Sequence, residues 1–306
     1  MVDTAQLNDA LAANYMLVDL EIRSWAGNKI DKEASKEVIA SKGATKDSGR
    51  FIKTLLAGAD DELDEVKRLA SVIRAFVYSK TLPWSGNSEG AKRGARLLAA
   101  TTSFEFLKEL NEIKREYDLA VQNLVAVWDQ RCIEARRNLG SLAAVDDYPD
   151  STAVAQLFGV RVDLKPVPTM ADFSRINVPT ALAEALGQRH AIQAETQLVN
   201  AMDDLKERLL KELQRVATQL GKAGRKEETR LYDSLVTNMQ TLVGLVRTMN
   251  VAGNKSLSDL ADKIESQLLS RPVAAYKNTP ELAAEVAAQA QNLAVEAAME
   301  NVWKIE

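Results

Sequence analysis

The residues best suited to do chemistry lie together in RAFVYSKTLPWSGNSEGAKRGAR, residues 74–96. Arg74, Lys80, Lys92, Arg93 and Arg96 stand there against Glu89 alone, interleaved with Phe76, Tyr78 and Trp84 and spaced by Gly86, Gly90 and Gly94. Cations track a phosphate backbone, and an exposed aromatic ring offers a stacking face to any base. The mixture therefore suits a single-stranded nucleic acid bound without sequence preference, with Trp84 as the stacking ring. Five cations at phosphates imply that log affinity falls with log salt at a slope of about −3.5. The same residues also have a plain packing reading, in which Phe76 is core, Trp84 closes the end of a helical bundle and the cations are simply solvated.

A second basic stretch, Lys42, Lys46, Arg50 and Lys53 with Asp47 and Phe51, repeats this chemistry without a Trp and is expected to be an accessory strip. A third, Lys222, Arg225, Lys226 and Arg230 around Gly221 and Gly224, is diluted by Glu227 and Glu228; it reads as a turn between helices or a partner contact. The final EAAMENVWKIE, residues 296–306, suits a short apolar hook for another protein, formed by Val302, Trp303 and Ile305. The alternative is a terminal helix whose Val302 and Trp303 pack on the body.

Other chemistry is scarce. One Cys and one His, Cys132 and His190, leave almost no room for a zinc site or a nucleophile–His device. Gly253-Asn254-Lys255-Ser256 and Gly90-Ala91-Lys92 lack phosphate-loop spacing. The pairs Asp60/Asp61, Asp146/Asp147 and Asp203/Asp204 fit charged helix faces and turns better than a magnesium site. His190 is expected at a surface or interface, and Cys132 as a small packed residue. The chain is thus expected to be non-enzymatic, with neither cofactor nor metal.

The elements that must position these residues are mostly helical. Lys plus Arg number 39 against 43 Asp plus Glu, and the net charge of −4 is concentrated in residues 280–306, where five Glu face Lys304. Such an acidic end could compete with DNA for a basic groove. No 18-residue apolar run suits a membrane span, and the opening residues lack the order of a signal peptide, so a cytoplasmic location is expected. Helices are expected at 3–13, 31–42, from the acidic run at Asp60 to about Thr81, at 151–158, 226–250 and 256–270, and from Thr279 with Pro280 in its first turn. Two long ones are expected. Residues 101–145 open with a possible capping box, Thr102 with Glu105, and reach about 60 Å; the other follows Pro179 and ends at Gly221 or Gly224. The two should pair as an antiparallel hairpin. Met16, Val18, Leu20 and Ile22, and later Val160, Val162 and Leu164, alternate as strands that could pair with each other.

On YMLVDLEIRSWAGNKID, GRFIKTLLAG, TLPW, YPDSTAVAQLF and LKPVPTMADF, over residues 14–175, the chain resembles a broad family of helical phage and bacterial proteins. Within it, the chain is similar to the Drc-like single-stranded-DNA-binding transcription regulators of phages that carry a giant virion RNA polymerase. The resemblance implies a fold other than an OB-fold, a preference for single-stranded over duplex DNA, and recruitment of a phage RNA polymerase to opened middle promoters in the bacterial host cytoplasm. It supplies no motif of site residues.

The expected fold is mainly α: an elongated bundle of long antiparallel coiled-coil-like helices with a small hairpin or two-stranded sheet. Three regions are expected: 1–100, mixed α/β with basic loops; 101–278, a long-helix bundle with a strand insert near 159–166; and 279–306, an Ala-rich acidic tail helix that docks marginally or folds on a partner. The expected function is single-strand DNA binding, in phage transcription or replication, through Arg74, Lys80, Trp84, Lys92, Arg93, Arg96, Lys42, Lys46, Arg50 and Lys53, in a homo-oligomer built through the long helices. The competing function is a helical scaffold or adaptor for a ring ATPase or virion component, without DNA affinity.

Overall fold

The computed structural model describes residues 4–84, 94–225, 227, 230–250, 253–299 and 302–303. In chain order the elements are α1 (Thr4–Asn14), β1 (Tyr15–Arg23), β2 (Asn28–Asp31), α2 (Lys32–Ser41), β3 (Phe51–Thr54), α3 (Asp61–Lys80), β4 (Leu82–Pro83), β5 (Arg96–Ala99) and α4 (Ser103–Leu139). Then come α5 (Ser151–Val154), β6 (Gly159–Pro166), α6 (Met170–Phe173), α7 (Thr180–Gly224), α8 (Ser234–Met249), α9 (Lys255–Leu268), α10 (Val273–Asn278) and α11 (Pro280–Ala298). The fold is mainly α with a small sheet. Among the described residues, no helix is long and apolar enough to cross a membrane.

The chain divides into two compact units, one of residues 1–19, 77–107 and 163–306, the other of 20–76 and 108–162. The boundaries expected at 100 and 278 do not match this division, because each unit gathers segments distant in sequence. The two long helices fall largely in different units.

In the first unit, α7 buries one stripe along its 45 residues, from Ala183 and Ala191 through Leu198, Leu205, Leu209 and Leu213 to Leu220. Its main partner is α11. Gly221 faces Ala287 and Gly224 faces Ala284, so the two helices run antiparallel. A Cβ on Gly224 would come within 2.9 Å of the Ala284 backbone, an approach only glycine permits. The apposed face of α11 is Ala283, Val286, Ala287, Ala290, Leu293, Ala294 and Ala297. The tail helix is therefore docked along its length rather than marginally. Its Ala residues are the means: small side chains bring the helix axes close enough for dense backbone and Cβ contact.

The sheet has the order β4-β5-β1-β6, so the two strands foreseen by alternation are neighbours. β5 runs antiparallel to β1, pairing Tyr15 with Ala99 and Val18 with Arg96, and antiparallel to β4, pairing Leu82 with Leu97. All four residues of β5 are buried, which removes the alternation by which a strand is recognised.

In the second unit, Trp128 and Tyr117 of α4 are buried. The Trp128 indole donates to Pro149 O at 3.0 Å and meets the Trp25 ring edge-on at 5.2 Å. Arg131 clamps Glu62 with two hydrogen bonds of 2.6 and 2.8 Å, fixing the start of α3 on α4. Asp31 caps α2 by accepting from the N–H groups of Glu33 and Ala34. β2 and β3 form a separate antiparallel ribbon that pairs Ile30 with Ile52. Short strands with exposed apolar residues carry no periodic signal in the sequence.

Candidate nucleic-acid interface

Trp84 and Arg96 are built inward. The Trp84 side chain is 7% exposed and belongs to the same packed core as Leu82 and Leu97, while its backbone N–H donates to Ala95 O at 3.0 Å. A ring sealed in this way has no free face for a base, which corrects the stacking role expected of Trp84. Arg96 is 6% exposed. Its guanidinium lies 4.2 Å from the centre of the Tyr78 ring, and it donates to Thr81 Oγ1 at 2.7 Å and Thr81 O at 2.9 Å. Thr81 Oγ1 donates in turn to Val77 O at 2.6 Å.

From α7, Arg208 donates to Tyr78 O at 2.9 Å and pairs with Asp204 at 2.6 Å. Two guanidiniums thus close the C-terminal end of α3, where carbonyl groups and the helix dipole favour positive charge. Burial, and then the neighbouring Arg208, lower the Arg96 pKa to about 10. Burial raises that of Asp204 against the opposing pull of Arg208 and Arg96. Arg96 is therefore a structural residue of the hairpin root, not a phosphate contact. Arg74 is exposed and Lys80 half-buried in the last turn of α3; Lys92 and Arg93 lie outside the described residues.

The stretch around residues 41–50 is built outward. Every residue from Ser41 to Arg50 is exposed, so Lys42, Lys46 and Arg50 share an open loop with Asp47. Gly43, at φ +62°, turns the chain out of α2 into open space, and Thr45 and Ser48 close a turn through hydroxyls 2.7 Å apart. The far end is pinned where Ser35 Oγ accepts the Phe51 N–H at 2.9 Å and donates to Asp31 O.

Lys53, three residues further on, is the exception. It is 6% exposed, pairs with Asp147 at 2.7 Å and Asp31 at 3.1 Å, and donates to Leu142 O at 2.8 Å. Lys29 adds a second contact to Asp147 at 2.8 Å. Burial pushes the Asp147 carboxyl up, but Lys29, Lys53 and the Ala144 N–H together bring it down to about 2. The bond to Asp147 raises the Lys53 ammonium more than burial lowers it. This cluster ties the β2–β3 ribbon to the segment after α4, and Lys53 offers no charge to a ligand.

Val302, Trp303, His190 and Cys132 are structural. Val302 is 4% and Trp303 9% exposed, and the Trp303 indole donates to Ala297 O at 2.8 Å. Asn254 holds Val302 O at 3.1 Å. These two residues close the end of α11 instead of forming a free hook; Ile305 lies outside the described residues. His190 Nε2 bonds Pro168 O at 3.0 Å beside Phe173. Burial pushes the Cys132 thiol up to about 11, which keeps it protonated and unreactive at neutral pH. Among the described residues, no group of three His, Cys, Asp or Glu side chains is arranged to hold a metal ion.

Sequence reasoning passes over Tyr232, which is 59% exposed beside a cleft of about 570 Å³ lined by Ala223, Glu227, Arg230, Leu231, Lys277 and Pro280. The basic residues at 222–230 are the available signal, but the acids beside them suggest an ordinary turn. Compared with protein-family models, curated proteins and solved structures, the chain matches none.

Proposed function

We propose that the protein is a non-enzymatic single-stranded-DNA-binding protein that acts in phage transcription in the bacterial cytoplasm. The observation that supports this most is the loop at residues 41–50, where three cations on ten consecutive exposed residues face one acid. A loop of this kind follows a flexible phosphate chain by charge alone, without reading base edges. Exposed Arg74 adds to the same chemistry. The resemblance over residues 14–175 contributes the transcriptional setting and the phage RNA polymerase as partner. With Lys53 and Arg96 removed from the count, Lys42, Lys46 and Arg50 account for a salt slope of about −2 on a single strand. Binding of a labelled 30-nucleotide strand and its duplex across a salt series tests this. Tighter, salt-sensitive binding to the single strand supports it, and no binding at low salt rejects it.

A second reading, a helical adaptor without DNA affinity, is favoured by one feature of α7. Leu182, Ile192 and Val199 lie along its outer side, each about half exposed, and apolar residues on one helix face suit a protein partner. It predicts no strand binding at low salt.

A further inference from the structure

We propose that Tyr232 is a base-stacking site for single-stranded nucleic acid, with Arg230 and Lys277 as phosphate contacts beside it. The inference rests on the single-strand reading above and gives it the aromatic ring that buried Trp84 does not supply.

The site is made where α7 ends and α8 begins. The chain leaves α7 at Gly224, whose lack of a side chain lets Ala284 of α11 come close, and this draws the start of α11 up beside the segment leading into α8. The cleft between them has Leu231, 5% exposed, with Ala223 and Pro280 as its apolar lining. Its volume of about 570 Å³ falls within the range of about 300–1,000 Å³ common to small-ligand sites. Tyr232 stands at this cleft with more than half of its surface in water, and its hydroxyl makes no hydrogen bond to a described residue. Neither packing nor hydrogen bonding therefore accounts for an aromatic side chain at this position.

The charges on the cleft favour an anion. Arg230 and Lys277 are both exposed and, among the described residues, neither makes an ion pair. Among the described residues, the acid in the lining is Glu227, held by Arg225 at 2.6 Å, which neutralises it. An open aromatic face next to two uncommitted cations is the combination by which single-strand binders hold a base and its flanking phosphates. The sequence-tolerant π-face needs no base-specific hydrogen bonds.

The test is fluorescence polarisation with the full-length protein and a labelled single strand, comparing wild type, Tyr232→Ala, Tyr232→Phe and Arg230→Ala/Lys277→Ala. The strand is used both with its bases and with abasic positions, and an unlabelled mononucleotide serves as competitor. Tyr232→Ala should weaken binding about 5- to 150-fold with the salt slope unchanged, Tyr232→Phe should stay within about twofold of wild type, and the abasic strand should not distinguish wild type from Tyr232→Ala. The double cation variant should lower the salt slope by about 1.4. Wild type that binds while Tyr232→Ala matches it overturns the stacking site and leaves the single-strand reading standing. Wild type that binds neither strand at low salt overturns both. Displacement of the strand by the mononucleotide at equal concentration overturns the assignment to a strand in favour of a free nucleotide. The exposed position of Tyr232 keeps folding out of the comparison, and a thermal melt of each variant should match wild type.

Discussion

Residues 74–96 and 41–53 draw on the same side chains, yet Trp84 and Arg96 of the first turn inward while Lys42, Lys46 and Arg50 of the second turn outward. Arg96 sits in a strand buried throughout, where Thr81 and Tyr78 take up its guanidinium. Arg50 stands at the end of a run of exposed residues whose glycines have open space around them. Lys46 and Lys53 repeat the contrast over seven positions, the first solvated and the second enclosed by Asp31 and Asp147. A count of cations and aromatics thus says what a segment could bind. Backbone exposure decides whether those groups are spent on the fold or left for a ligand.

Substitutions can break this contrast at several strengths. Trp84→Ala should have the largest effect, a loss of about 4 kcal/mol in urea unfolding, because it opens a cavity in a packed core. If Trp84 were a stacking ring instead, stability would hold and strand affinity would fall. Lys53→Ala should cost about 3 kcal/mol by leaving buried Asp147 short of a partner, measured by the same unfolding curve.

The Asp147 carboxylate adds a pH signature. Its folded pKa of about 2 lies below an unfolded value of about 3.9, so its stabilisation is complete above the unfolded value and is lost as pH falls through the folded one. The stability gap between wild type and Asp147→Asn should narrow by about 2 kcal/mol between pH 6 and pH 2; a constant gap would refute the ion-pair account. The smallest effect belongs to Lys46→Ala, which should change stability by less than about 0.5 kcal/mol while reducing the salt slope of strand binding by about 0.7.

Much of the fold is legible in the sequence because helices announce themselves locally. Asp31 and Pro280 mark helix starts, and the break between α7 and α8 follows Gly224, as their types suggest. The strands β1 and β6 alternate and lie side by side, whereas β5 is buried on both faces and so carries no period of two.

The candidate site is less legible, since its outcome depends on partners remote in sequence. Nothing local separates Arg96 from Arg50, because Arg208 and Asp204, which complete the Arg96 cluster, lie on α7. Asp147, which takes up Lys53, lies beyond the end of α4. The docking of α11 is hidden for a different reason: an Ala-rich face looks weak until it meets Gly224 and Gly221, where smallness becomes close approach. Tyr232 is obscured by the neighbouring Glu227, whose charge Arg225 cancels.

The central claim is that the loop at residues 41–50 holds a single DNA strand. The most direct measurement is polarisation binding of a labelled single strand across a salt series, for wild type and for Lys42→Ala/Lys46→Ala/Arg50→Ala. The account predicts a variant that melts at the wild-type temperature, binds more weakly at low salt and has a salt slope shallower by about 2. Equal affinity and equal slope in the two proteins would contradict it.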